Sequence, residues 1–163
     1  MLTLGFDVGL SGAYAVLSGK GELLELQDLP VMPNGLGKSR VKQMVNGAAL
    51  AQQLKHTICW REDKDVRAYV EIVTSMPGQG VAGMFSLGQS LGIILGVLAA
   101  LEVPVTLIRP QDWKQHFGLL RAEKDASRTV ASHRLPCAAA DLALKKYHNR
   151  ADALLIGLYG MTK

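Results

Sequence analysis

Asp7, Glu71 and Asp152 each place a carboxylate inside an otherwise apolar stretch of sequence. Asp7 falls near the C-terminal end of a run rich in β-formers. Glu71 stands between Val70 and Ile72, and Asp152 among Ala151, Ala153, Leu154 and Leu155. An unpartnered buried charge is strongly unfavourable, so each acid must be paired, capped or metal-bound. Local explanations exist for all three. Asp7 could cap the Gly9-Leu10-Ser11-Gly12 turn, Glu71 could pair with a basic neighbour, and Asp152 could favour a helix N-terminus by ~0.3–1 kcal/mol. One arrangement accounts for them together: two acids in central strands, brought side by side by parallel pairing, with the third supplied by a helix. His148 precedes Asp152 by one helical turn and shares its face if the helix reaches back that far; it reads equally as a surface histidine. Such oxygen and nitrogen donors suit hard cations. Mg²⁺ favours carboxylates, water and phosphate oxygens, and two ions ~3.5–4 Å apart clamp the attacking water and the leaving oxygen of a phosphodiester. No Ser or Cys nucleophile with its base is apparent. There is no Walker loop, so no nucleotide cofactor is expected.

The elements that must position these residues follow from periodicity. Leu2 to Val8, Ala13 to Leu17 and Glu22 to Leu29 read as strands joined by short turns, an antiparallel meander. Pro30 to Ser39 reads as a loop. Val41 to Arg61 reads as a helix, with apolar residues at Val45, Leu50, Leu54 and Ile58. Val66 to Val73 is a buried strand. A long helix is expected over about Val81 to Glu102, and Pro104 to Ile108 completes a crossover unit. Helices are expected over Pro110 to Phe117, Lys124 to His133 and Arg150 to Tyr159. Gly88, Gly92 and Gly96 recur at four-residue spacing, which lets the long helix lie close against the sheet or another helix. The element order is that of an α/β, ribonuclease-H-like fold: a central five-stranded mixed sheet flanked by helices.

The chain has 163 residues, 48% hydrophobic and 20% charged, which favours one domain spanning 1–163 with a sizeable core. Its net charge of +4 is compatible with a polyanionic partner without demanding one. Cys59 and Cys137 match no zinc spacing and read as reduced, partly buried thiols. No signal peptide is expected. The longest apolar stretch, Leu91 to Val103, reads as too short and interrupted to span a bilayer, so no membrane association is expected and a cytoplasmic location is.

Several motifs, in order along nearly the whole chain, resemble those of RuvC-like Holliday junction resolvases. They are Gly5-Phe6-Asp7-Val8-Gly9, Val70-Glu71, Leu87-Gly88-Gln89-Ser90-Leu91-Gly92, Pro110-Gln111-Asp112-Trp113-Lys114-Gln115 with Ala122-Glu123-Lys124, and Arg150-Ala151-Asp152-Ala153-Leu154. The versions here look closest to those of bacteriophages and mobile elements in bacterial cells. The resemblance implies a metal-dependent endonuclease that resolves four-way DNA junctions in recombination and repair, leaving a 5′ phosphate and a 3′ hydroxyl. It implies that Asp7, Glu71, Asp152 and His148 are catalytic and hold two Mg²⁺ ions, with Mn²⁺ as a substitute. There are two departures. The position three residues before the last acid, ordinarily an acid or His, is Asn149, so the fourth ligand is His148 or Asn149. The family's base-stacking aromatic falls at Thr74, leaving Met76 and Phe85 as the nearest wedge candidates, although Phe85 reads first as core.

Lys114 and Lys124 match basic positions that contact phosphates. Arg109, Arg121, Arg40 and Lys42 could widen that surface, as could Lys38 and Arg150. Such contacts give salt-sensitive, largely sequence-independent binding. A junction has two-fold symmetry, so paired cuts imply a homodimer, with the glycine-bearing helix as the candidate interface. Three other readings stay open. The Asp7 to Gly12 loop resembles the phosphate loop of actin-like ATPases, which need a duplicated domain. A branched-DNA-binding module with little cleavage, and a ribonuclease or flap nuclease on the same fold, are the others.

Overall fold

Strand β1 (Leu2–Asp7) obeys the two-residue period of a pleated strand. Leu2, Leu4 and Phe6 are buried on one face with Leu50, Leu54, Ile94 and Leu98, while Thr3, Gly5 and Asp7 point to the other. The computed structural model describes residues 1–35, 43–60 (backbone only at 59 and 60), 65–74, 78–123 and 125–163. The antiparallel meander expected at the start is present: β1 pairs with β2 (Ala13–Ser18), and β2 with β3 (Leu23–Asp28).

Between β3 and the first helix, two three-residue strands, β4 (Val31–Pro33) and β5 (Gln43–Val45), pair antiparallel in a separate small sheet. A loop and the first turns of a helix were expected there; strands this short show no alternation. Helix α1 (Gly47–Trp60) starts where Asn46 caps it, its Oδ1 accepting from the Ala49 N–H at 3.1 Å.

Strand β6 (Val66–Glu71), helix α2 (Val81–Ala100) and strand β7 (Val105–Ile108) form the parallel crossover. Since β6 also pairs parallel with β1, the main sheet is mixed and five-stranded, in the order β3-β2-β1-β6-β7. Helices α3 (Pro110–His116), α4 (Ala126–Arg134) and α5 (His148–Gly160) complete the chain. The α/β arrangement expected from the element order is thus the one observed.

Each face of the main sheet has its own core. One is built with α1 and α2; the other gathers Ala15, Leu17, Trp113, Ala131, Leu154 and Leu155 with α3, α4 and α5. Helix α5 rides directly on β1. A Cβ on Gly5 would stand 2.2 Å from the Ala153 carbonyl oxygen and 2.4 Å from the Gly157 nitrogen, so only glycine permits this approach.

Helix α2 narrows one expectation and corrects two. Ser86, Ser90, Ile94 and Leu98 face inward, but Gly88, Gly92 and Gly96 face solvent, with open space where a Cβ would stand. Their stripe therefore does not pack on the sheet. Phe85 lies on the same stripe and is 70% exposed, not core. By length and composition this 20-residue helix is also apolar enough to cross a membrane, longer than the stretch the sequence suggested. Its inward residues are nevertheless part of the domain core. Cys137, expected to be partly buried, is exposed.

Candidate active site

The strand period places Asp7 and Glu71 on one face. Asp7 follows Thr3 and Gly5, and Glu71 follows Arg67 and Tyr69, all opposite the face of Leu4 and Phe6, Ala68 and Val70. Phe6 pairs with Val70 in parallel register, so both acids stand at the C-terminal ends of adjacent parallel strands, where open α/β sheets place their sites. Helix α5 covers the same face and brings Asp152 to them.

The three carboxylates feel one another. Asp7 titrates well above the ordinary aspartate range, first because protein surrounds its carboxylate, then because Glu71 and Asp152 repel its charge. The Lys114 ammonium and the Val8 backbone N–H pull the other way. Glu71 is also raised, chiefly by burial and further by Asp152, against the lowering effects of Trp113 and Lys114. Among the described residues no three His, Cys, Asp or Glu side chains close into a finished metal cage. The donor set fits a hard divalent cation: Asp7, Glu71 and Asp152 are half-buried carboxylates, oxygen donors only, near enough for their charges to act on one another.

Trp113 was not foreseen as a site residue. Its ring is fully buried, and its indole N–H donates to Glu71 Oε1 at 2.9 Å. A buried Trp requires such an acceptor. Its place beside Lys114, in a motif already marked for chemistry, was the available signal. Lys114 is half-buried, with its Nζ 5.2 Å from the Trp113 ring centroid. Its field on Asp7 and Glu71 makes it a cation of the cleft itself, closer to the acids than a peripheral phosphate contact.

Two cavities meet at this site. One is lined by Asp7, Gly9, Ser11, Gly83, Leu87 and Asn149. The other is lined by Trp113, Lys114, His148, Asp152, and again Ser11 and Asn149. His148, the first residue of α5, thus shares a cavity with Asp152. Its Nδ1 lies 3.3 Å from the Lys145 carbonyl oxygen, and it also borders a neighbouring cavity with Glu123, Asp125, Lys145 and Lys146. Asn149, the other candidate fourth ligand, has its amide nitrogen on Ser11.

Of the expected DNA contacts, Arg109 is exposed and holds Asp112 in a two-point ion pair at 3.0 Å for each bond. Arg121 is exposed in the loop after α3, with a left-handed backbone (φ 65°). Arg150 is committed elsewhere: its guanidinium grips Asp28 at 2.6 and 2.8 Å and stacks over the Tyr147 ring at 4.1 Å. Lys38, Arg40, Lys42, Met76 and Lys124 lie outside the described residues, as does the side chain of Cys59.

Comparison with known proteins gives the following. No family model matches the chain. Over 94 residues, 57% of this chain, it is 36% identical to the chloroplastic Holliday junction resolvase MOC1 of Chlamydomonas reinhardtii. That match spans only 11% of the relative's length. Two structures of Thermus thermophilus RuvC superpose on nearly all of it. The one in complex with a Holliday junction substrate has a TM-score of 0.63 at 20% identity, covering 98% of this chain and 91% of that one. The other has a TM-score of 0.61 at 23% identity, covering 98% and 92%. The chain has the RuvC fold.

Proposed function

We propose that this chain is a structure-selective endodeoxyribonuclease that resolves four-way DNA junctions by paired, metal-dependent nicks in opposed strands. The observation that carries this reading is the convergence of Asp7, Glu71 and Asp152 from two parallel strand ends and one helix. The likeness to a junction resolvase and to RuvC supports the substrate. In this reading Asp7, Glu71 and Asp152 hold divalent cations, Mg²⁺ or Mn²⁺, two per site, with His148 at the margin. Bound there, the cations would lower the pKa of a water and stabilise charge on the departing oxygen. Trp113 fixes the Glu71 carboxylate through its indole N–H. Lys114 offsets the repulsion among the acids and attracts the phosphate. Arg109 and Arg121 extend the basic rim for backbone contacts; for Lys124, Arg40 and Lys42, outside the described residues, phosphate contact rests on the resemblance alone.

Two opposed cuts need two equivalent sites, which a two-fold homodimer supplies. The solvent-facing stripe of Phe85, Gly88, Gly92 and Gly96 on α2 is our interface: the glycines admit a second helix closely, and Phe85 offers a knob. This places Phe85 in the seam before it places it in a junction, and leaves Met76 as the wedge candidate.

A second reading has one observation in its favour. With the Asn149 amide spent on Ser11, the cleft holds fewer donors for cations than the resemblance implies, so the chain would bind branched DNA and cut it slowly. A substrate panel decides. A four-way junction, linear duplex, flap and RNA–DNA hybrid are incubated with Mg²⁺, Mn²⁺ or EDTA. Metal-dependent symmetric nicks confined to the junction support the resolvase. Tight junction binding without cuts supports the binding module. Preferential cutting of flap or hybrid overturns both.

A further inference from the structure

Asn149 lies one residue into α5, facing the turn between β1 and β2. Its amide nitrogen donates to the backbone carbonyl of Ser11 and to Ser11 Oγ, the latter at 2.9 Å. A carbonyl oxygen only accepts, so the amide must present its nitrogen here, and its two protons match the two acceptors. A carboxylate in the same place has no proton to give and would set its oxygens against the carbonyl. Asn149 is therefore not a weaker copy of an acid at this position; it makes a contact an ionised acid cannot make.

The turn that Asn149 grips is itself continuous with Asp7. The Gly12 N–H donates to the Gly9 carbonyl at 3.1 Å, and the Leu29 N–H to the Gly12 carbonyl at 2.8 Å. A Cβ on Gly12 would stand 2.3 Å from the Asp7 carbonyl oxygen, so the turn folds directly back onto that residue's backbone. Ser11 and Asn149 line both cavities of the cleft, the one before Asp7 and the one containing Asp152. The contact thus bridges the two elements that carry these acids, 138 residues apart in sequence.

We propose that Asn149 is a positioning residue: by donating both amide protons to Ser11 it clasps the β1–β2 turn to α5 and so sets the spacing of Asp7 from Asp152, without supplying an oxygen to a cation. This deepens the nuclease reading and rests on it only for the purpose of that spacing.

The test compares Asn149→Asp, Asn149→Ala and Ser11→Ala with the wild-type chain, using two readouts that need no DNA. Hydrogen exchange at the Gly12 amide reports the turn. Mn²⁺ titration followed by electron paramagnetic resonance reports the cleft. Ser11→Ala removes one acceptor and spares the other, so it should show a partial effect even if an Asn149 variant unfolds. For Asn149→Asp and Asn149→Ala the clasp predicts similar outcomes: Gly12 exchange faster by roughly three- to tenfold, and Mn²⁺ affinity reduced; faster exchange with unchanged Mn²⁺ affinity would show that the clasp does not set the spacing of the acids. Tighter Mn²⁺ binding by Asn149→Asp with an undisturbed turn would make the position a ligand site and overturn the clasp, as would unchanged exchange in every variant. If wild-type chain neither cuts junctions nor binds Mn²⁺ while the exchange results hold, the clasp stands and the nuclease reading falls.

Discussion

The indole N–H of Trp113 donates to Glu71 Oε1 at 2.9 Å, joining a fully buried ring on α3 to the carboxylate at the end of β6. This bond restricts the rotation of a side chain that must point into the cleft, and hydrogen-bonded supports of this kind typically matter 10- to 100-fold in metal affinity or activity. Trp113→Phe keeps most of the ring's packing and removes the donor. We expect roughly a tenfold loss in single-turnover cleavage, a higher Mg²⁺ requirement and little change in junction affinity. The bond itself contributes ~1.5–3 kcal/mol because its acceptor is charged. An unchanged Mg²⁺ dependence would show that Glu71 holds its place without Trp113.

Asp7→Asn should abolish cutting, leave junction binding intact and stabilise the metal-free protein. The wild-type carboxylate is desolvated and repelled by Glu71 and Asp152, a cost that an amide largely avoids. The gain is on the order of 1–3 kcal/mol, or a few degrees in melting temperature for a chain of this size. Calorimetric melts in EDTA, beside a gel cleavage assay, check both halves. Undiminished cleavage would remove Asp7 from the site.

Gly5→Ala separates α5 from β1 without touching a charge. The added methyl meets the Ala153 carbonyl and the Gly157 nitrogen well inside contact distance. We expect about 1–3 kcal/mol of destabilisation, or more if the helix cannot shift, and a loss of cleavage larger than the stability change explains. Urea unfolding and cleavage measured where the variant remains folded test this; wild-type activity would show that the spacing of Asp7 and Asp152 tolerates change.

The Arg150 guanidinium holds the Asp28 carboxyl below the usual aspartate range, first by hydrogen bonding and further by its charge, while burial acts against it. A depressed folded value means that the unfolded chain binds the proton first as pH falls. The pair's contribution is therefore present above the unfolded aspartate pKa of about 3.9 and is lost as pH drops through the lower folded value. Asp28 is more than half exposed, so solvent screening limits the contribution to ~0.5–1 kcal/mol. Urea midpoints between pH 2 and 6 should fall less steeply toward acid in Asp28→Asn than in wild type. Parallel curves would assign the pair no role in stability.

Gly92→Glu probes the proposed seam. The space around Gly92 is open in the protomer, so a side chain there should not disturb the fold; in a helix interior most residues are better than glycine, by up to ~1 kcal/mol. The melting temperature should hold, while sedimentation shifts from dimer to monomer and paired cutting becomes single nicking. A dimer unaffected by this charge would place the interface elsewhere.

The three acids were legible in the sequence because a charge within an apolar strand or helix must be explained, and the two-residue period puts Asp7 and Glu71 on one face. What was not legible depends on contacts between distant segments. The Trp113 bond to Glu71 joins residues 42 apart, and the Asn149 bond to Ser11 residues 138 apart; no local pattern announces either. The direction of the glycine stripe on α2 stayed open between the sheet and another helix, because the helix is apolar nearly all round and its period does not say which face is covered. Phe85 was read as core for the same reason, an aromatic among apolar neighbours. The β4–β5 pair was missed because three-residue strands carry no alternation to read.

The most direct test of the central claim is incubation of a supercoiled plasmid that extrudes a cruciform, with Mg²⁺, against the same plasmid lacking the inverted repeat. Paired cuts within one bound complex convert the cruciform plasmid straight to the linear form, so we predict linear product, none in EDTA, none from Asp7→Asn and none from the control plasmid. Equal nicking of both plasmids, or an intact cruciform plasmid bound tightly by the protein, would contradict the assignment of a junction-resolving nuclease.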